Sequence, residues 1–142
     1  MDNTNTIDTI EFKMPAKPDY VGMMRLAISG IASRMEFTIE KIEDLKIAIS
    51  EACTNAVQYA YDNKKDKIVL ISCAVHSDKL EITVKDTGKG FSIEEKKKPS
   101  SNSLTDSPSL GLGITFIKSL MDEAEFKSEP GEGTEVRMVK YR

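Results

Sequence analysis

The chain is short of the side chains that bind metals or form disulfides. Its 142 residues hold two cysteines and a single histidine. Cys53 and Cys73 are isolated, one in a predicted helix and one in a predicted strand, and read as buried free thiols in a reducing compartment. His76 has no ligand-spaced neighbour and falls at a predicted hairpin tip, where it reads as a solvated turn residue. No apolar run approaches the ~18 residues of a membrane span, and the opening Met1-Asp2-Asn3-Thr4-Asn5 is polar with no signal-peptide core. A cytoplasmic location and no membrane partner are expected. A formal charge of -3 argues against direct nucleic-acid binding, which wants a basic face, but leaves room for a protein partner that is basic overall. Two common phosphate-binding signatures are missing as well. There is no Gly-x-x-x-x-Gly-Lys-Ser/Thr loop and no early dinucleotide fingerprint.

What is there suits a single domain, residues 1–142, large enough to bury roughly two-thirds of its unfolded surface. Ile7 to Met14 alternates apolar and polar residues and reads as a strand closed by Pro15. Pro18-Asp19 opens a helix to about Met35, carrying Val21, Met24, Leu26, Ile28 and Ile31. Thr38 can cap a second, longer helix, with Glu40 in its first turn. Its buried stripe is Ile42, Leu45, Ile49, Ala52, Ala56 and Tyr59, and Asp62-Asn63-Lys64-Lys65 ends it.

Two strands, Ile68 to Val75 and Leu80 to Lys85, flank the loop His76-Ser77-Asp78-Lys79. Leu80, Ile82 and Val84 alternate with Glu81, Thr83 and Lys85, so the sheet has one wet face. Residues 92–109 are rich in Ser, Lys and Pro without periodicity, which predicts a disordered segment or a functional lid. A last helix is expected to start at Gly111-Leu112-Gly113 and run through Met121. Ala124 to Lys127 and Thr134 to Val139 read as two final strands around a tight turn at Gly131-Glu132-Gly133. The pattern is α+β, with helices on one face of a mixed or mostly antiparallel sheet.

Four short segments carry chemistry. Glu51 and Asn55 lie one turn apart on the same face of the second helix. The surrounding run is small and apolar, so Asn55 needs a partner, and a Mg²⁺ ion bound to triphosphate oxygens would supply one. Glu51 could accept a proton from an attacking hydroxyl. Read alone, the pair is also an ordinary polar helix edge. Asp86 ends an apolar strand and precedes Gly88 and Gly90; it could accept a hydrogen bond from the adenine amine, although Asp86-Thr87-Gly88-Lys89-Gly90 is equally a good turn. Gly111 and Gly113 could turn backbone N–H groups toward an anion at a helix start. Thr134 could add a hydroxyl. Each segment alone has a commoner explanation. Together they supply one of each part that an ATP–Mg²⁺ site needs, with a candidate lid between the second and third.

This order resembles the Bergerat (GHKL) ATP-binding sandwich of the gyrase, histidine-kinase and MutL group, from Ile7 to Val139. The wording of Tyr20 to Leu26, Ile42 to Tyr61 and Ser119 to Glu123 is similar to the RsbW-type anti-sigma serine kinases. The resemblance implies a kinase that sequesters an alternative sigma factor and uses ATP to phosphorylate a serine on a small anti-anti-sigma protein of the STAS type. It also implies a homodimer. Residue by residue, it makes Glu51 the catalytic base, Asn55 the Mg²⁺ ligand and Asp86 the adenine reader. Gly88, Gly90, Gly111, Leu112 and Gly113 fall on the nucleotide-cradling turns, Thr134 on the last motif, and Arg25 on a partner-contact position. Two departures stand out. The lid sequence Lys98-Pro99-Ser100-Ser101-Asn102-Ser103 matches no known pattern, and Pro108-Ser109-Leu110 replaces an arginine that some relatives carry. An alternative within the same family is a nucleotide-dependent sigma-binding switch with little turnover. A detached histidine-kinase catalytic domain is disfavoured, because no phosphoacceptor helix pair is present.

Overall fold

The computed structural model describes residues 6–59, 67–86, 107–129 and 133–142. Five strands form one sheet in the order β1-β2-β3-β5-β4: β1 (Thr6–Pro15), β2 (Ile68–His76), β3 (Lys79–Asp86), β4 (Glu123–Glu129) and β5 (Gly133–Tyr141). Every pairing is antiparallel. Three helices, α1 (Val21–Arg34), α2 (Ile39–Tyr59) and α3 (Ser107–Leu120), complete the described elements. The expected α+β sandwich is the observed one. None of the described helices is long and apolar enough to cross a membrane.

The wet and dry faces follow the alternation of β3. Leu80, Ile82 and Val84 are buried against the helices. On the other face Arg137 donates from Nε to Glu81 at 2.6 Å and lies 3.7 and 3.8 Å from Glu123 and Glu125. The Glu81 hydrogen bond, with the surrounding carboxylates, holds the Arg137 guanidinium above its ordinary pKa. Helix α2 lies directly on β2, β3 and β5, with α1 and α3 each packed against it. Its inward stripe, Leu45, Ile49, Ala52 and Ala56, is buried as its periodicity predicts. Thr38 caps it, the Lys41 N–H donating to Oγ1 at 3.2 Å.

A short 3-10 turn at Pro18–Tyr20 leads into α1. Its buried stripe is Val21, Met24, Ile28 and Ala32. Leu26 is 71% exposed; a residue five positions after Val21 falls on the far side of a 3.6-residue turn. Ala32, not in the expected stripe, is buried instead. At the other end of the sheet, Lys140 is buried and reaches the Asp44 carboxylate on α2 at 3.2 Å and the Leu120 carbonyl at the end of α3. One ammonium thus ties two helices to β5 and completes a helix C-terminus.

Two expectations are corrected. His76 is not a solvated turn residue: the hairpin tightens to Ser77-Asp78, and His76 ends β2 opposite Thr6 of β1. Nδ1 lies 3.2 Å from Thr6 Oγ1, Nε2 lies 3.5 Å from Glu81, and its side chain is only 12% exposed. The last helix starts at Ser107 instead of Gly111. Pro108 in its first turn costs no hydrogen bond, because the first N–H groups of a helix have no intrahelical partner. The helix therefore takes in residues 107–109 of the stretch read as a lid; 92–106 lie outside the described residues, as do Asp62-Asn63-Lys64-Lys65.

Candidate functional site

Helix α2 projects Glu51 and Asn55 toward α3, and α3 meets them with a glycine. A Cβ on Gly113 would stand 2.9 Å from Glu51 Oε2 and 3.0 Å from Asn55 Nδ2. The first distance is shorter than real Cβ atoms show, and the second is tighter than nearly all of them. Gly113 is therefore the residue that lets the two helices close around the carboxylate and the amide. This differs from the expectation for Gly111, Leu112 and Gly113, which were read as a turn ahead of the helix. They lie in its second turn, where Gly113 provides close approach and the helix backbone is already engaged.

Asn55 is 8% exposed and its Nδ2 has no hydrogen-bond partner. Leaving a buried amide end unpaired costs about 1–3 kcal/mol. The two ends of an amide exchange by a half rotation, which would bring the carbonyl oxygen to the open position. An amide carbonyl next to the Glu51 carboxylate fits a hard cation that carries most of its own ligands with it, as Mg²⁺ on phosphates does. Among the described residues no group of three or more His, Cys, Asp or Glu side chains could hold a metal without such help.

The second half of the site lies at one end of the sheet. Asp86 ends β3 on the helix-facing side, 1% exposed. The ladder sets Val69 on one side of it and Thr134 on the other, and Thr134 faces Ser128 of β4. The Thr134 and Ser128 hydroxyls are 3.0 Å apart. One row of the sheet thus runs from the buried, apolar Val69 to a carboxylate and two hydroxyls. Gly133 opens β5 at φ 86, a left-handed conformation that favours glycine. Ser128 was missed because β4 was expected to end at Lys127; continuing the alternation by one residue would have found it. Gly88 and Gly90 lie outside the described residues, as do Lys89 and Gly131-Glu132.

Arg25 stands apart from both halves. It is exposed on α1 and donates from Nη1 to Ser50 Oγ at 3.1 Å. The two buried thiols take no part either. Burial pushes Cys53 up to about 12, with the nearby Cys73 adding to the shift, and burial pushes Cys73 up to about 12. A thiol so displaced is protonated and inert at neutral pH.

The profile of the histidine kinase-like ATPase domain matches residues 14–140. Over 96% of the chain, and 87% of the relative, the sequence is 45% identical to the serine-protein kinase RsbW of Bacillus pumilus. This chain belongs to the RsbW family of histidine kinase-like ATPases. The RsbW protein of Listeria monocytogenes is 41% identical over 94% of the chain and 87% of its own length. The fold is shared more widely. A crystal structure of the RsbU and RsbW domains of a Mycobacterium tuberculosis protein superposes with a TM-score of 0.67 at 19% identity, covering 94% of this chain and 32% of that one. The histidine kinase domain of a blue-light activated kinase from Erythrobacter litoralis superposes at 0.58, with 22% identity over 89% of this chain and 60% of that one. Membership in the RsbW family assigns ATP as the nucleotide and a protein serine as the acceptor class.

Proposed function

We propose that the protein is an ATP-dependent protein-serine kinase and anti-sigma factor, working in the cytoplasm as a single ATP-binding domain. It holds an alternative sigma factor and phosphorylates a serine of a STAS-type anti-anti-sigma protein, whose unphosphorylated form displaces the sigma factor. The observation that carries the catalytic half is the close approach of Gly113 to Glu51 and Asn55, which leaves a carboxylate and an amide side by side against α3.

In this reading Asp86 accepts a hydrogen bond from the adenine amine while Thr134 and Ser128 line the same row of the sheet. Asn55, with its unpaired amide end, would hold Mg²⁺ together with the phosphates, and the ion would supply charge neutralisation on the transferred group. Gly88, Gly90 and Gly111 shape the nucleotide's surroundings, and residues 92–106 serve as the lid. Glu51 takes the proton of the acceptor serine hydroxyl as its oxygen attacks the γ-phosphorus; the bond to the ADP oxygen breaks and ADP leaves. Arg25, exposed and anchored on Ser50, contacts the partner protein, and a homodimer is the working assembly.

The test is phosphotransfer from labelled ATP to the purified anti-anti-sigma protein. Glu51→Ala is expected to keep ATP affinity and to lose roughly a hundredfold or more in transfer rate, the scale of a positioned base. An undiminished rate in that variant removes Glu51 from the mechanism. A wild-type protein that binds ATP and exchanges its sigma factor but labels no serine is the nucleotide-dependent switch instead.

A further inference from the structure

Beside Glu51, on the flank away from the core, the groove between α2 and α3 opens into a cavity of about 300 Å³ lined by Glu51, Gly113, Thr115, Phe116 and Ser119. Phe116 is 45% exposed, a large ring left in water next to the carboxylate. We propose that this cavity is the docking pocket for the serine-bearing segment of the protein acceptor, with Phe116 as its apolar anchor. The inference rests on the kinase reading given above.

The lining chemistry separates this pocket from the nucleotide's side of the site. Among the described residues its lining holds one carboxylate, two hydroxyl side chains, a ring and a glycine, and no lysine or arginine. A polyphosphate placed there would meet the Glu51 carboxylate at close range, and like charges repel. A neutral serine hydroxyl meets no such penalty, and its proton has an acceptor in the pocket wall. Asn55 is buried and is not among the residues that line the cavity. The carboxylate thus separates a buried recess suited to metal and phosphate from an open one suited to an incoming hydroxyl.

The same lining states what the acceptor must offer. A serine alone leaves Phe116 uncovered, so the segment carries an apolar residue beside the serine that packs on the ring. An acidic neighbour is disfavoured by Glu51. The pocket floor is preset: Ser119 Oγ donates to the Phe116 carbonyl at 2.6 Å within the helix, and Gly113 holds the Glu51 carboxylate at its edge.

Initial rates of phosphotransfer to the unphosphorylated anti-anti-sigma protein of the same cell, over a range of acceptor concentrations, test this. Phe116→Ala is expected to raise the acceptor KM about tenfold, the effect of losing one aromatic anchor. The change falls mainly on KM, and calorimetric affinity for MgATP stays at the wild-type value. Thr115→Trp, which fills the pocket from an exposed position, should raise KM at least as much. An acceptor KM unchanged in both variants, with wild-type turnover intact, overturns the docking pocket and leaves the kinase reading standing. A changed sedimentation mass in Phe116→Ala also overturns it, because the ring then belongs to an interface with a second copy. Absence of transfer by the wild-type protein removes the kinase reading and the pocket with it.

Discussion

At the scale of single residues, Gly113 separates stability from function. Alanine there would remove a helix-interior glycine, which by itself favours the fold by about 0.5–1 kcal/mol. The new methyl would meet the far end of Glu51, half-buried and able to swing outward, and the Asn55 amide, which has to give by only a few tenths of an ångström. Gly113→Ala should therefore fold with a Tm at or slightly above wild type, yet lose about a hundredfold in phosphotransfer, as expected when a reacting group is displaced by about 1 Å. Thermal denaturation and a transfer assay on one preparation check both halves. A stable variant with normal activity would show that the Glu51 position is unimportant. The buried thiols support a second residue-scale prediction. Both have folded-state pKa values raised to about 12 from an ordinary value of 9.0. A raised pKa means the folded state keeps its proton where the unfolded chain gives it up. Their stabilising contribution is complete below pH 9 and is lost as pH rises from 9 toward 12, at up to ~1.4 kcal/mol per unit for each thiol. Urea midpoints from pH 8 to 11 should fall less steeply in a variant with both cysteines replaced by alanine.

At the scale of elements, α1 shows how a helix is ended by a residue unsuited to the task. After Arg34 the chain closes a Schellman motif. The Glu36 N–H donates to the Ser33 carbonyl at 3.0 Å, and the Phe37 N–H to the Ala32 carbonyl at 3.2 Å. The buried Phe37 supplies the accompanying apolar contact. Glu36 stands at φ 65, the left-handed region where a side chain costs about 1 kcal/mol. Glu36→Gly should therefore stabilise the protein by about 1 kcal/mol. Within the same helix, Gly30 is exposed and a Cβ there would meet nothing within 4 Å. Gly30→Ala should add about 1 kcal/mol. Each change predicts a Tm rise of about 3–4 °C for a chain of this size, read by calorimetry, and the two should add because their sites share no partner. No rise in either variant would mean that the local backbone is not the limiting term. The end of α1 near Met35 was legible in the sequence, but not its geometry, since nothing in Met35-Glu36-Phe37 announces a left-handed turn.

At the scale of the whole molecule, legibility follows the kind of signal each part leaves. The strands were readable because alternation is strict in β3, where every second residue is buried. Helix α2 was readable because its apolar stripe repeats over more than four turns. The start of α3 was misread because Gly111 and Gly113 look like breakers; the reason for Gly113, closeness to Glu51 and Asn55, exists only once two distant segments meet. His76 was misread for the same reason, since its partners Thr6 and Glu81 come from other strands. The site's parts were visible one by one, but their convergence belongs to the sheet order β1-β2-β3-β5-β4, which sets Asp86 opposite Thr134. That convergence makes a global prediction. A ligand that binds only the folded chain stabilises it by about 2.7 kcal/mol at a hundred times its Kd, so MgATP should raise Tm by roughly 8–10 °C on the scale of chains this long. Chelation of the metal should remove part of the rise, because Asn55 then loses its charged partner. GTP should give little, because it lacks the amine that Asp86 is placed to receive. Asp86→Asn should abolish most of the ATP-induced rise while the unliganded protein still melts cooperatively. Equal shifts with ATP and GTP, or a full ATP shift in Asp86→Asn, would take the base out of the β3–β5 end of the sheet, and the division of the site into a base-reading row and a phosphate-facing helix pair would have to be abandoned.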